Sequence, residues 1–268
     1  MTIDQIKNLF KTRKIQKVKL AGFDIDGVLR GKYISLDKFF SAVEKGLGFC
    51  DVVFGWDSSD RLYEQSTITG WHTGYPDLLA KIDLNTCRAI PWEPDTALFL
   101  LDFYQNKEQP HPVSPRQLLQ KIVRKANDMG FLPFMSAEYE YFIFRETPHS
   151  LHEKGFRQIT PLSPGMFGYS VLRASAASEL VHAIIDGMRE YDVELEGMHT
   201  ETGPGVYETA IRHDTALNAA DKAGLFKTGV KEITARQGLV ATFTAKWSPN
   251  YPGCSGHLHQ SLWNLEGE

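Results

Sequence analysis

Cysteine is scarce in this chain of 268 residues: Cys50, Cys87 and Cys254 lie far apart, and no CxxC pair occurs. Three scattered thiols exclude a disulfide framework and read as reduced cysteines of a cytosolic protein. No stretch of ~18 consecutive apolar residues exists, which excludes a membrane-spanning helix. The opening MTIDQIKNLFKTRKIQK has neither a long apolar run nor a small-residue cleavage site, so no signal peptide is expected. Neither charge sign dominates, with 33 acidic against 29 basic residues, a net −4, spread along the chain. A nucleic-acid partner would call for a basic face or stripe, and none is present. Repeats and low-complexity tracts are missing too. What is there is ordinary globular composition, 42% hydrophobic and 23% charged, enough to bury a core. The expectation is a cytoplasmic protein with no membrane or nucleic-acid partner.

The element pattern is mixed α+β. Thr2 caps a short helix with Ile3, Ile6, Leu9 and Phe10 at helical spacing. Val18 to Ile25 and Val28 to Leu36 read as two strands around Asp26-Gly27, a pair suited to a tight hairpin turn. Ser35 or Asp37 opens a helix through Phe39, Phe40, Val43 and Leu47. The polar, three-proline segment QNKEQPHPVSP, residues 105–115, is the expected boundary between a domain at 1–106 and one at 107–268. Ser114-Pro115 starts the next helix, with Leu118, Leu119, Ile122, Val123 and Ala126 on its apolar face and Gly130 at its end. Beyond it come a strand to Phe144, a helix over 176–191, strands near 193–200 and 206–212 around a Thr-Gly-Pro-Gly turn, a long helix over 214–236 and a strand over 239–246.

The short motif FDIDGVL, residues 23–29, imitates the nucleophile motif of haloacid-dehalogenase-type phosphatases, with Asp24 as nucleophile and Asp26 as acid and base. That fold needs a loop and helix after the strand. Here VLRGKYISL continues extended, and no later lysine with paired aspartates follows. The hairpin reading is preferred.

More informative is a set of carboxylates and imidazoles. Glu138 and Glu140 sit in FMSAEYEYFIFR, where strand alternation puts both on one face, with Tyr139 and Tyr141 on the other. Adjacent like charges on a half-buried strand repel unless solvated or bridged by a cation. Glu196, Glu201 and Glu208 follow in ELEGMHTETGPGVYETAI, and His257 and His259 in GCSGHLHQSLW. Each piece alone is weak, since acidic strands are usually solvated faces and an HxH pair is usually incidental. Together they supply hard oxygens and imidazole, a set suited to Mg²⁺ or Mn²⁺.

In this order, from Lys17 to Trp263, these segments resemble the glutamine synthetase family. AGFDIDGVLRGKYIS resembles its N-terminal β-grasp domain, FGWDSSD its ammonium-loop segment, Glu138-Tyr139-Glu140 its ExE strand, Glu196/Glu201/Glu208 its E-x4-E-x6-E run, and Gly253 to His259 its glycine-rich HxH segment. The resemblance implies a β-grasp domain followed by a partial catalytic half-barrel, incomplete at its C-terminal end. It implies that Glu140, Glu201 and Glu208 hold one metal and Glu138 and His257 a second, with His259 facing the transferred phosphate. Glu196 would lie on the nucleotide side with Tyr169 and Phe226 as its walls, Gly253 at the glutamate, and Asp57 at the amine across a subunit boundary of a homo-oligomeric ring.

The implied activity is an ATP-dependent ligase using Mg²⁺ or Mn²⁺. The γ-carboxylate of glutamate attacks the γ-phosphate of ATP, and ammonia or another amine then displaces phosphate from the γ-glutamyl phosphate. A catalytically inactive binding or structural protein on the same scaffold is the alternative. One departure concerns the acceptor: the family's loop carries Asn-Gly where this chain has Pro252-Gly253, so glutamate with ammonia does not follow automatically.

Overall fold

The computed structural model describes residues 1–267. In chain order the elements are α1 (Ile3–Arg13), β1 (Lys17–Phe23), β2 (Leu29–Ile34), α2 (Leu36–Lys45), β3 (Leu47–Cys50), β4 (Asp77–Ala89), β5 (Thr96–Tyr104), α3 (Pro115–Asp128) and β6 (Phe131–Phe144). There follow α4 (Pro148–Glu153), α5 (Val171–Ala176), α6 (Ser178–Glu190), β7 (Leu195–Thr200), β8 (Val206–Ile211), β9 (Asp214–Thr215), α7 (Ala216–Arg236), β10 (Val240–Thr242) and β11 (Gly256–Asn264). Two compact units divide between Lys125 and Ala126, inside α3. Among the described residues no helix is long and apolar enough to cross a membrane.

In the first unit, a five-stranded sheet runs β2-β1-β5-β4-β3, with β1 and β5 parallel and the other neighbours antiparallel. Thr2 forms a capping box with Gln5, and Ile6 and Phe10 of α1 join Phe39 and Ala42 of α2 over Val18, Leu20, Phe99 and Leu101. Rings of Phe10, Phe39 and Phe99 meet at 4.7–6.1 Å, an aromatic centre for this core.

The hairpin between β1 and β2 is present, but its turn is longer than two residues. Pairing ends at Phe23↔Leu29, and Asp24 N donates to Val28 O, closing a loop over 24–28. The cause is Asp24 itself. Its Oδ1 accepts Asp26 N and Val28 N at 3.0 and 2.9 Å, and its Oδ2 accepts Arg30 Nε at 2.7 Å. A fully buried carboxylate with both oxygens engaged is a structural clamp with no access for a phosphoryl group. The phosphatase reading of Asp24 and Asp26 fails on this geometry.

Helix α3 also departs from expectation. Leu118 and Ile122 are 55% and 52% exposed, whereas Arg116 and Gln117 are buried. Arg116 donates to both Asp102 and Asp83 at 2.8 Å, and Gln120 reaches Asp102 at 3.0 Å. Ion pairing thus orients the first turn, overriding the apolar periodicity.

The second unit is built on β6. This 14-residue strand pairs antiparallel with β11 and β10 along one edge and with β8 and β9 along the other, and β7 lies beyond β8. The 176–191 helix is α6, Ser178–Glu190, preceded by the short α5 that ends at Ala176, and only 240–242 of the 239–246 segment pair as strand. α7 covers one sheet face, where Tyr139, Tyr141, Phe226 and Phe243 stack within 5.0–6.4 Å. Gly205 closes the turn before β8 with φ +70, and a Cβ there would meet Ile143 O at 2.5 Å, so the position needs glycine.

Candidate functional site

The sheet face opposite α7 carries the charged side chains, and its registers set them in two rows. One row aligns His257, Glu138, Ala210 and Gly197 across β11, β6, β8 and β7. The other aligns Glu140, Glu208 and His199 across β6, β8 and β7. Alternation along β6 therefore puts Glu138 and Glu140 together, as their spacing requires, and the small residues Ala210 and Gly197 leave space between the rows.

Glu138 Oε2 accepts from both imidazoles of β11, at 3.2 Å from His257 Nδ1 and 3.1 Å from His259 Nε2. These bonds, His259's above all, hold the Glu138 carboxyl below the usual carboxylate range. Glu208 has the opposite environment. Burial pushes its carboxyl up, and the charges of Glu138, Glu140 and Glu201 push in the same direction. Its two oxygens face different histidines: Oε1 lies 3.7 Å from His257 Nδ1, and Oε2 lies 3.4 Å from His199 Nε2.

Two groups could each receive a cation, with their ligand atoms within 4.8 Å of one another: Glu138, Glu208 and His257, and His199, Glu201 and Glu208. Carboxylate oxygens joined by one imidazole nitrogen suit Mn²⁺ or Mg²⁺ chemically, so the donor set fits the expected ions.

The grouping differs from the expected one in two ways. Glu208 belongs to both groups. Glu140 is in neither group; it faces Glu208 across β6 and β8, and its carboxylate accepts from Ser255 N at 3.1 Å and from the Ser255 hydroxyl at 2.5 Å. His199 also lies beside Glu201 and Glu208, a neighbour that sequence reasoning missed. A partial signal was there, since His199 stands two residues before Glu201, the spacing that singled out Glu138 and Glu140, but β7 ends at Thr200 and the pairing with Glu208 depends on register.

Other expected residues fall as follows. A bulge between Leu195 and Gly197 leaves Glu196 half exposed and away from both groups, 3.5 Å from His213 Nδ1. Tyr169 is 72% exposed and stacks on His199, with centroids 4.0 Å apart. Phe226 is a correction. It is 0% exposed in the aromatic layer under α7, on the face opposite the carboxylates, so it lines no site on this surface. Gly253 approaches Ala245 O, which an added Cβ would meet at 2.5 Å, while Cys254 N bonds the same oxygen at 2.8 Å. Asp57, in the first unit, is partly exposed, and its Oδ1 accepts from Ser59 N and Arg61 N at 2.7 and 2.9 Å. Those two amides, Arg61's first, lower its carboxyl.

Residues 112–268 match the family model described as glutamine synthetase, catalytic domain. A type-1 glutamine synthetase 2 of Dictyostelium discoideum is 51% identical over 97% of this chain and 50% of its own length. A glutamate–isopropylamine ligase of a Pseudomonas species is 36% identical over 98% of this chain and 58% of its own. Among solved structures, one titled "Apo GmaS without ligand" superimposes with a TM-score of 0.81 at 21% identity, covering 97% of this chain and 57% of its own, a likeness of α+β fold. The chain spans about half the length of these relatives. With the carboxylate and imidazole rows in place on the half-barrel sheet, and a match covering the whole segment that builds them, the chain belongs to the glutamine synthetase family.

Proposed function

We propose that this chain carries the cation and phosphoryl-transfer face of an ATP-dependent carbon–nitrogen ligase that joins glutamate to ammonia or another amine. The observation behind it is the pair of cation groups sharing Glu208 on one sheet face. Divalent cations bound there would neutralise phosphate charge, the main requirement of phosphoryl transfer. The chain's own residues do the rest. Glu138, Glu140, Glu201, Glu208 and His257 present the ligand atoms, and His259 stands beside Glu138 on the side given to the transferred phosphate. Tyr169 and Glu196 belong to the nucleotide side, and Gly253 to the glutamate loop. Asp57, kept ionised by its two backbone donors, would attract a cationic amine and take up its proton, acting at a neighbouring subunit's site in a homo-oligomeric ring.

In the same reading the sheet β2-β1-β5-β4-β3 with α1 and α2 is a β-grasp domain, and the catalytic segment begins near residue 107. The acceptor is an amine whose class Pro252 helps to set, since the Asn-Gly amide of the family pattern is gone. Relatives named for isopropylamine and ethanolamide products widen the amines worth screening.

The test is phosphate release from ATP by the purified protein with Mg²⁺ or Mn²⁺, glutamate and a panel of amines. Amine-dependent release that disappears in Glu140→Ala supports the ligase. ATP binding without turnover supports the inactive binding protein instead, and no binding at all removes the functional reading.

A further inference from the structure

We propose that a small cleft at the N-terminal end of α6 binds a phosphate-sized oxyanion, held by Arg145, Arg173 and the Tyr207 hydroxyl. The cleft measures about 180 Å³, and Arg145, Ser163, Arg173, Ala177 and Tyr207 line it. It belongs to the side of the sheet away from the carboxylate rows, because Tyr207 alternates with Glu208 along β8 and pairs with Tyr141 of β6. The ligase reading makes no use of it. The first support is positive charge without a counter-charge. Among the described residues neither Arg145 nor Arg173 has a carboxylate partner. Arg145 Nε donates to Leu162 O at 3.2 Å, which orients the guanidinium and leaves its terminal nitrogens for a ligand. The Arg173 guanidinium lies over the Phe167 ring, 4.5 Å from its centroid, a contact that steadies the plane without using its donors. Two guanidiniums lining one cleft repel each other until an anion sits between them. Their planar forks suit the paired oxygens of a tetrahedral oxyanion.

The second support is the helix that ends there. α6 is 13 residues long, and its N-cap residue is Ala177, with no side-chain hydrogen bond closing that end. Its first-turn amides and the positive end of its dipole favour an anion beside them. Glu179, the acid of that turn, is exposed and does not line the cleft.

Tyr207 is the third support, and it is independent of the other two. It is 1% exposed, so what stays accessible of it opens into the cleft that it lines. Its hydroxyl has no hydrogen-bond partner among the described residues, whereas Tyr141, stacked against it, shares a 2.9 Å hydrogen bond with Thr209. A buried hydroxyl without a partner is costly, and an anion oxygen would satisfy it. Burial pushes the Tyr207 phenol above its ordinary range, so it keeps its proton and remains a donor. Size then selects the ligand. The cleft is smaller than the ~300 Å³ at which pockets for larger organic ligands begin, so it takes a free oxyanion and no nucleotide.

The test is titration calorimetry of the purified protein with inorganic phosphate in EDTA. EDTA withholds divalent cations, so the outcome is independent of the cation groups on the other face. Phosphate should bind with a Kd of ~1 mM or tighter. Arg145→Gln and Arg173→Gln should each weaken it by ~10-fold or more. Tyr207→Phe, which keeps the packed ring and removes the hydroxyl, should weaken it by ~3- to 10-fold. Arg173→Lys keeps the charge and loses the fork, and it should recover part of the affinity. Sulfate should displace phosphate, whereas chloride at equal ionic strength should not. Absence of phosphate binding in the parent would overturn the inference. Binding unchanged in both arginine variants and in Tyr207→Phe would overturn it as well, by placing the ion elsewhere. Melting curves separate ligand loss from misfolding, and Tyr207→Phe carries the test if an arginine variant fails to fold.

Discussion

Replacing Glu208 by glutamine should make the protein more stable without divalent cation and less stable with it. In the cation-free state Glu208 faces Glu140 directly across the β6/β8 pair, with Glu138 and Glu201 also near enough to raise its carboxyl. A directly opposed like-charge pair costs up to about 1 kcal/mol, and the diagonal neighbours add a fraction of that. Against this stand contacts to His199 and His257 at 3.4 and 3.7 Å, both imidazoles partly exposed, each worth a few tenths of a kcal/mol. Glutamine keeps the shape and removes the charge, so the balance is about 1 kcal/mol in its favour, or roughly 2–4 °C in melting temperature for a protein of this size.

Cation reverses the order. A ligand at ~100 times its Kd stabilises by about 2.7 kcal/mol, which glutamine, a poor cation ligand common to both groups, should largely forfeit. Calorimetric melting in EDTA and in excess Mn²⁺ reads both terms. A variant less stable than the parent in EDTA, or an equal Mn²⁺ shift in both proteins, would refute this account of the site.

Three further expectations follow from burial. Phe226→Ala should destabilise the protein by ~3–5 kcal/mol in urea unfolding, since it empties a fully buried site among Tyr139, Tyr141 and Phe243. At temperatures where the variant stays folded, its nucleotide binding should match the parent's. Asp24→Ala should act as a folding lesion of ~3 kcal/mol or more by stranding Arg30 and two loop amides, with no phosphatase activity in the parent to lose. Glu146 accepts from Lys154, Ser150 and Thr160 N, and Lys154 chiefly brings its carboxyl down to about 2. A lowered carboxyl stabilises above its unfolded value of ~4.5 and loses that contribution as pH falls toward 2. Glu146→Gln should flatten the acid-melting curve in that window, and an unchanged curve would sink the assignment.

The features legible in the sequence were those set by local rules. Alternation put Glu138 with Glu140 and Tyr139 with Tyr141, because period two holds for any strand. The Asp-Gly pair marked a hairpin. It could not show that Asp24 would cap the loop with its own carboxylate, since that depends on Arg30 arriving from β2. Helix periodicity misjudged α3, where a buried Arg116 outweighed Leu118 and Ile122. Phe226 was given to the nucleotide when an apolar residue midway along a 21-residue helix is normally core. The division of ligands needed the register of β6 against β8 and β7, which places His199 beside Glu208 and which no spacing encodes.

Strand β6 sets an order in time as well as in space. Its partners arrive from residues 206 to 264, and Glu138 first meets an imidazole 119 positions later in the chain, at His257. At synthesis rates of ~5–20 residues per second, roughly 6–24 s separate the emergence of the two. Throughout that interval β6 exposes an unsatisfied edge, the kind that recruits chaperones or other nascent chains. Pairing over such a separation is slow because loop closure precedes any gain from contact. The cation group that uses His257 must therefore be among the last features to assemble. A divalent ion can hold the finished sheet together, but it cannot seed it.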